Sequence, residues 1–300
     1  MPNLKEVRIR IASVISTQQI TSAMKMVSAA KLRRAQDAII QMRPFEAKLK
    51  EILDNLILSA GSSAGVFATT RPAEKVLIAV ITSNRGLCGG FNANVIKAVN
   101  QLIKDKYPEQ AAKGNVSMAC VGKKGSDYYK RVGGKVWESR NELWDKLTYS
   151  NVAEFVGEIL KLYSEGQVDR VEVVYNRFKN AATQILSTDQ LLPFDLDSAK
   201  ANANKGDKKG TGIKPDYIFE PDEEQIIQDL IPYALKVKFF RSMLDSYAAE
   251  HGARMTAMHK ATDNASEMIK SLKLSYNKAR QAAITKEILE IVAGAEAINN

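Results

Sequence analysis

Residues 255–283 read MTAMHKATDNASEMIKSLKLSYNKARQAA, and their spacing decides the fold. Small or apolar residues recur there at alternating steps of three and four: Met255, Met258, Thr262, Ala265, Ile269, Leu272, Tyr276, Ala279 and Ala283. This alternation places one stripe of side chains along one side of a helix, where a second helix can cover it. The stretch therefore predicts a helix that packs lengthwise on a partner helix.

The predicted helix extends far beyond this stretch. Asp222 is a suitable N-cap, no proline occurs between 233 and 293, and Gly252 is the one glycine in that interval. At ~1.5 Å per residue, a helix over 222–298 is about 114 Å long, which no compact domain can bury. Part of it must lie against another long helix or inside another protein. Its tip, 291–298, is small and apolar enough to sit in a sleeve.

The beginning of the chain offers the partner helix. Asn3 with Glu6 can cap a helix that opens at Leu4. Apolar positions continue along it at Val7, Ile11, Val14, Ile20, Met24, Val27, Leu32, Ala35, Ile39 and Met42. Pro44 lacks a backbone donor and should kink or slightly unwind the helix. We expect this helix to pair antiparallel with the longer C-terminal one, whose end is left overhanging.

The middle of the chain alternates strand and helix patterns. Strands are predicted at 75–82, 116–121, 135–138, 170–178 and 183–191, and helices at 93–106, 126–131 and 152–163. This alternation predicts an α/β domain with a largely parallel sheet. The fold class is thus an α/β domain inserted between two long terminal helices that form an antiparallel coiled coil. The predicted boundaries are 1–60, 61–221 for a Rossmann-like domain with a mobile polar loop at 195–214, and 222–300.

Composition and charge narrow the function classes. The chain carries a net charge of +9 and is 45% apolar, without an apolar run of the roughly 20 residues that a bilayer requires. The first residues resemble neither a signal nor a transit peptide, and Cys88 and Cys120 match no metal or redox spacing, so we expect a reducing cytosol. Residues 1–60 hold ten Lys/Arg against five Asp/Glu. This excess fits a solvated helix face, a nucleic-acid surface or an acidic protein partner.

A glycine-rich loop at 84–92, NRGLCGGFN, follows the first strand. It has neither the G-x-G-x-x-G spacing nor the Lys-Ser/Thr of a P-loop, so a tight turn between strand and helix is the simpler interpretation. Asn84, Arg85 and Asn92 are its best polar candidates for a nucleotide site. An α/β nucleotide-binding enzyme with coiled-coil arms is therefore an alternative function, and a nucleic-acid-binding coiled coil is a third.

Three segments carry a resemblance to a known family. Residues 4–36, the loop 84–92 and residues 253–295 resemble the γ subunit of F-type ATP synthase, in the expected order along the whole chain. The resemblance implies the coiled-coil central stalk of a rotary motor, held inside a ring of three α and three β subunits, with the α/β domain near ε and the membrane c-ring. It implies coupling of proton or sodium flow to ATP synthesis or hydrolysis, and a peripheral place on the cytoplasmic face of the bacterial plasma membrane. No active site, cofactor, metal, nucleic acid or small-molecule substrate is expected for this subunit itself.

The resemblance also implies contact residues. Those expected to face a β subunit are Arg280, Gln281, Thr285, Met24, Lys25, Lys31, Arg33, Arg34 and Cys88. Those expected to meet ε and the c-ring are Phe45, Tyr217, Phe219 and Glu220. Ordinary helix packing or solvation is the competing explanation for each. Chloroplast relatives carry a cysteine pair near the position of loop 195–214, which has none, so thiol regulation is not expected.

Overall fold

A computed structural model describes residues 4–59, 66–194 and 223–299. It contains a long N-terminal helix, a central α/β sheet and a long C-terminal helix, as predicted. The Asp222 cap, the loop 195–214 and Tyr217, Phe219 and Glu220 lie outside the described residues. The chain divides into two compact units, one made of residues 1–29 and 254–300 and the other of residues 30–253. Among the described residues, no helix is both long and apolar enough to cross a membrane.

Six α-helices are described. They are α1 (Leu4–Ser59), α2 (Phe91–Lys106), α3 (Pro108–Ala112), α4 (Lys123–Arg131), α5 (Tyr149–Ser164) and α6 (Glu223–Asn299), with short 3-10 helices at Val66–Ala68 and Asn141–Trp144. Pro44 lies inside α1, and the helix continues through it. The Thr148 hydroxyl caps α5 by accepting a hydrogen bond from the backbone amide of Asn151. The helix therefore begins at Tyr149, three residues before the predicted position.

The sheet has five strands in the order β3-β2-β1-β4-β5. They are β1 (Val76–Ile81), β2 (Val116–Val121), β3 (Val136–Ser139), β4 (Arg170–Phe178) and β5 (Gln184–Leu192). All neighbours are parallel except β4 and β5, which are antiparallel, so the prediction of a largely parallel sheet is confirmed. The predicted ends of β2 and β4 are correct, and polar or glycine residues lie directly outside them: Asn115 and Gly122 for β2, and Asp169 and Lys179 for β4.

The core of the larger unit lies on both faces of the sheet. Every residue of β1 is buried, as expected for a central parallel strand. One face packs on α5, on the end of α1 at Leu53, and on α6 at Leu235 and Phe239. The other face packs on α2 through Val95 and Val99 and on α4. The end of α1 and the first part of α6 thus both contribute to this core, which explains why these segments are apolar.

In the smaller unit, residues of α1 and α6 pair in opposite directions. Arg8 donates to the Tyr276 hydroxyl at 2.9 Å, and Gln18 donates to Ser266 at 2.7 Å. The hydroxyls of Thr21 and Thr262 share a hydrogen bond of 2.9 Å. Each step along α1 is matched by a similar step backwards along α6. Extending this register places Leu4 opposite residue 280, so α6 continues past the first described residue of α1.

The side of α1 that faces α6 differs from the prediction at two positions. Ile20 and Val27, predicted to continue the apolar stripe, are 59% and 57% exposed, whereas Thr21 and Ser28 are 9% and 2% exposed. The positions of α1 that face inward recur every seven residues from Val7. This spacing reaches Thr21 and Ser28 instead of the apolar residues Ile20 and Val27 beside them. Thr21 tolerates this position because its hydroxyl also donates to the Gln18 carbonyl. On α6 the predicted stripe is buried or half-buried from Met255 to Ala279, and Ala283 is exposed.

Candidate subunit-contact surfaces

The overhanging part of α6 exposes several large aliphatic side chains between charged ones. Arg280, Gln281 and Thr285 are all exposed, and the Thr285 hydroxyl donates to the Gln281 carbonyl one turn earlier. Large aliphatic side chains beyond them are exposed as well: Ile284, Ile288, Leu289, Ile291 and Val292. Contiguous exposed apolar surface of this kind marks a place where another protein binds.

The five candidates on α1 for contact with β, four of them basic, are divided between the two units. Met24 and Lys25 lie half-buried in the smaller unit, where the Lys25 ammonium is 3.5 Å from Nδ1 of His259. The other three, Lys31, Arg33 and Arg34, are exposed in the larger unit. Leu32 and Ala35 beside them are buried, so these cations occupy the outward side of a helix whose inner side is in the core.

The loop between β1 and α2 buries its cysteine. Cys88 is 1% exposed and packs with Phe91 and Ala249. The Asn92 amide donates to its sulfur at 3.3 Å and to the Ser83 hydroxyl at 2.8 Å. Cys88 is therefore part of the interior of the loop, and the residues that the loop presents outward include Arg85 and Leu87.

The polar residues that suggested a nucleotide site bond to the protein's own loops. The Asn84 side chain accepts from the Lys123 amide and donates to the Asn141 carbonyl. Asn92 accepts from the Ser83 amide at 2.9 Å. These bonds tie together the loops that follow β1, β2 and β3, which is a structural role.

The crevice at the carboxyl ends of β1 and β4 is occupied by α6. Strand order reverses between these two strands, and ligands of open α/β sheets bind at such a point. A Cβ on Gly252 would meet the Ala181 carbonyl oxygen at 3.2 Å and the Phe178 ring at 3.5 Å. The missing side chain at Gly252 thus lets α6 approach the β4–β5 turn closely, where a nucleotide enzyme would keep space for its ligand.

Phe45 belongs to a partly exposed cluster of three aromatic side chains. Phe45 is 48% exposed, and its ring meets Tyr233 edge-on with centroids 6.3 Å apart. Tyr233 in turn lies 5.9 Å from Tyr149 at the start of α5. Sequence reasoning missed Tyr233 and Tyr149, because aromatic residues from three separate helices meet here only in the folded chain.

The buried carboxyl of Asp245 lies where α1, α6 and β4 meet in the larger unit. Arg241 bonds to Glu46 and lies 3.8 Å from Asp245, which is 5% exposed. Burial raises the pKa of Asp245 to about 6, although the Arg241 charge acts in the opposite direction. A cleft of about 490 Å³, lined partly by Glu46, Arg241 and Tyr175, opens beside this group. Nothing in the sequence pattern singled it out.

Comparison with known proteins identifies the family. A family profile described as ATP synthase matches residues 3–298. The ATP synthase gamma chain of Cytophaga hutchinsonii is 52% identical over 301 residues, covering 100% of both chains. The chain belongs to the ATP synthase gamma-chain family. The resemblance drawn from the residues 4–36, 84–92 and 253–295 is thereby confirmed.

Solved structures share the gamma-chain fold. One is the central stalk and c-ring of the Tetrahymena thermophila mitochondrial ATP synthase, with a TM-score of 0.59 and 24% identity, covering 81% of this chain and 99% of that one. Another is the Euglena gracilis mitochondrial ATP synthase in rotational state 3, with a TM-score of 0.67 and 21% identity, covering 98% and 94%. At these identities the likeness concerns the fold.

Proposed function

We propose that this gamma chain is the central-stalk rotor subunit of an F-type ATP synthase. It couples transmembrane ion flow to ATP synthesis or hydrolysis in a surrounding hexamer of three α and three β subunits. The proposal draws on its family and on its fold, which is that of the central stalk and c-ring chain from Tetrahymena. The observation that carries it is the exposed apolar end of α6, Ile284 to Val292, because a helix this apolar needs an enclosing partner.

The terminal helices are proposed to form an antiparallel coiled coil. The hydrogen bonds Arg8–Tyr276 and Thr21–Thr262, which lie 13 residues apart on α1 and 14 residues apart on α6, support this packing. The domain boundaries 1–60, 61–221 and 222–300 belong to the same proposal. Residues 281–299 then extend about 28 Å past the described start of α1, at 1.5 Å per residue.

The rotor acts without chemistry of its own, since the gamma chain is not the catalytic subunit. A single asymmetric shaft in a threefold sleeve presents a different side to each β subunit. Each side can favour an open or closed state only through a difference in binding free energy between the two states. Turning the shaft then moves those preferences around the ring, which couples ion flow below to ATP chemistry above.

Particular residues are proposed to make the contacts. Arg280, Gln281 and Thr285 bond a β-subunit loop near the sleeve, where the guanidinium of Arg280 gives the strongest, charge-assisted bond. The remaining proposed β contacts are Met24, Lys25, Lys31, Arg33, Arg34 and the loop that contains Cys88. The proposed contacts with ε and the c-ring are Phe45, Tyr217, Phe219 and Glu220. The exposed Phe45–Tyr233 pair supports the aromatic member of that set.

The proposed location is the cytoplasmic face of the bacterial plasma membrane, where the subunit is peripheral. It follows from the proposed contact with the c-ring. Fractionation of cells before and after low-salt washing of the membranes tests it. The chain is expected in the membrane fraction together with α and β, and release in the wash without them would contradict the proposal.

Reconstitution tests the rotor function. The purified chain is mixed with α and β subunits from a related bacterium, and ATP hydrolysis and single-molecule rotation are measured. The chain alone is expected to turn over no ATP, while the mixture hydrolyses ATP and rotates. ATP hydrolysis by the chain alone, or a mixture that forms without it and is equally active, would refute the proposal.

Arg280→Ala tests the contact at the sleeve. A bond to a charged group contributes about 1.5–3 kcal/mol, so losing it is expected to reduce coupled hydrolysis about tenfold or more. Lys273→Ala is the matched control, because Lys273 is exposed on the same helix within its paired part. Equal coupled activity in both variants would remove Arg280 from the proposed contact.

A further inference from the structure

One edge of the sheet collects cations from the helices that end there. The strands β1 to β4 are parallel, so α2 and α4 run back to the edge where the strands begin, here called the amino edge. The Tyr107 hydroxyl at the end of α2 donates to Glu172 at 2.7 Å, and the Lys135 carbonyl after α4 accepts from the Met118 amide. Six exposed cations on this side of the sheet form what we call the basic edge: Lys104, Lys106, Lys113, Lys130, Arg131 and Lys135.

The cations of the basic edge have few acidic partners. Two exposed carboxylates, Asp105 and Glu109, accompany them, and Asp105 accepts two hydrogen bonds from Gln101. Among the described residues, Lys106 is the one member with an ion pair, to the buried Glu172 at 3.7 Å. The basic edge therefore presents uncompensated positive charge to its surroundings.

Charge in the larger unit is divided between the two faces of the sheet. Residues 93–135, which include most of α2 and all of α3 and α4, hold nine Lys/Arg against three Asp/Glu, a net charge of +6 in a chain whose total is +9. Residues 136–169, which include α5 on the other face, hold three Lys/Arg against seven Asp/Glu, a net charge of −4. The cation excess thus belongs to one side of the sheet, and six of its nine cations lie in the basic edge.

Helix dipoles explain part of this charge. The carboxyl end of a helix carries a partial negative charge, so cations in its last turn stabilise it, and α2 and α4 each have two there. Such stabilisation needs no excess of cations, because α5 ends at the same edge with Lys161 paired to Glu165 at 3.8 Å. Lys135 lies in the turn after α4, outside any helix. The accumulation on one side of the edge therefore exceeds what the helix ends require.

The amino edge is also the end of the larger unit away from the point where α6 leaves it. Residue 253 is the last of this unit on α6. It lies beside the carboxyl ends of the strands, where Ala249 packs on Cys88 and Gly252 approaches the Ala181 carbonyl oxygen. The basic edge is at the opposite end.

We propose that the basic edge lies against the anionic lipid headgroups of the membrane in the assembled ATP synthase. The inference rests on the proposed rotor function: the chain beyond residue 253 leads into the hexamer, so the amino edge is turned toward the membrane. Anionic lipids attract clustered Lys and Arg side chains, by roughly a fivefold factor in affinity for each cation near the surface. Because lipids diffuse laterally, this attraction requires no fixed partner geometry, and the rotor keeps the contact while it turns.

A nucleic acid or an acidic protein fits this surface less well. Unpaired bases stack on exposed aromatic rings, whereas the aromatic residues within 91–135 are buried or half-buried. Five of the six cations are lysines, which lack the planar fork with which arginine binds a phosphate or carboxylate at two points. A protein partner would bury an apolar centre, and Val132 is the one large apolar side chain that is exposed within 93–135. A lipid surface requires charge alone.

Vesicle binding by the complex reconstituted with α and β tests the inference. The probes are vesicles that contain roughly one third phosphatidylglycerol, with vesicles of phosphatidylcholine alone as the neutral reference. The triple variant Lys104→Gln, Lys130→Gln, Lys135→Gln should bind the anionic vesicles about tenfold more weakly than wild type, or weaker still. The matched control Lys97→Gln, Lys123→Gln, Lys124→Gln loses the same charge from exposed positions nearer the starts of α2 and α4, and should stay within about twofold.

Salt, a competing ligand and thermal melting complete the test. Binding of the wild-type complex should weaken steeply as the salt concentration rises, since screening weakens contacts between charges. Equal weakening in both triple variants, or equal binding of wild type to neutral vesicles, would overturn the inference. It would also be overturned if the triple variant in the basic edge lost affinity for double-stranded DNA, or melted at a lower temperature, while it bound anionic vesicles as wild type does. A wild-type complex that binds these vesicles and hydrolyses no ATP would instead refute the rotor function.

Discussion

Replacing Asp245 with Asn should make the larger unit more stable at neutral pH. The carboxyl is buried, and its pKa rises from 3.8 to about 6 on folding. The native state therefore holds this proton more tightly than the unfolded state by about 3 kcal/mol, at 1.36 kcal/mol for each tenfold change. Asparagine has nearly the same shape and never ionises.

The pH dependence follows from which state binds more protons. Below pH 3.8 both states keep the proton, so the carboxyl imposes no penalty. Between pH 3.8 and 6 the unfolded state loses its proton first, so the free energy of unfolding falls as the pH rises. Above about pH 7 nearly the full penalty is present. The difference in unfolding free energy between Asp245→Asn and wild type should grow by about 2.4 kcal/mol from pH 4 to pH 7.

Four neighbouring charged side chains also act on the pKa of Asp245. Arg241, Arg43 and Arg177 favour the ionised carboxyl, while Glu46 disfavours it. Arg241 keeps its bond to Glu46 in the variant, so no buried guanidinium is left without a partner. The net balance is a raised pKa because burial dominates these contributions.

Urea unfolding followed by tryptophan fluorescence measures the effect. The chain's two tryptophans, Trp137 and Trp144, both lie in the larger unit, and Trp144 stacks on Tyr247 of α6 with ring centroids 5.6 Å apart. Asp127→Asn, at an exposed position on α4, is the control and should show no growing difference. A difference for Asp245→Asn that stays constant from pH 4 to pH 7, or that shrinks, would refute the reasoning.

Three further substitutions test other parts of the structure. Gly122→Ala should prevent native folding, seen as loss of the cooperative urea transition, because its Cβ would lie 2.0 Å from the Thr82 carbonyl oxygen at a φ of 105°. Phe239→Ala should lower the free energy of unfolding by about 3–5 kcal/mol in the same assay, since this ring is fully buried. In the double variant Thr21→Val, Thr262→Val, the amide hydrogens of the paired parts of α1 and α6 should exchange no faster than in wild type. Removing both partners leaves no hydroxyl without a hydrogen bond. Faster exchange in the double variant than in either single one would contradict this.

The fold could be predicted largely from sequence because its signals are long and periodic. The strand at 170–178 and the helix that spans Met255 and Tyr276 each repeat one pattern for many residues. The polar side of α1 was harder to predict. Ile20 and Val27 are more apolar than Thr21 and Ser28, yet they are exposed. The inward-facing positions recur every seven residues from Val7 and so fall on the two polar residues. Counting the heptad strictly, instead of following the apolar residues, would have found the buried positions.

The contact surfaces were less accessible to sequence reasoning. Arg280 was identified by resemblance, and its exposure could not be read from its neighbours. Cys88 was likewise named by resemblance, but the folded loop turns it inward and turns Leu87 outward. Leu87 also has a positive φ. The sequence gives no sign of this, because glycine is the residue that usually adopts such a φ. Asp245 likewise became unusual only through residues brought to it by α1 and β4.

The polar bonds between α1 and α6 have a mechanical consequence. Moving one helix along the other by a single heptad, about 10.5 Å at 1.5 Å per residue, would break the Thr21–Thr262 and Arg8–Tyr276 bonds together. Purely aliphatic stripes would resist such a slip far less, because one leucine replaces another equally well. These bonds therefore favour one register of α1 against α6 in the smaller unit, and in the rotor proposed above such a fixed register opposes sliding of the two helices under torque.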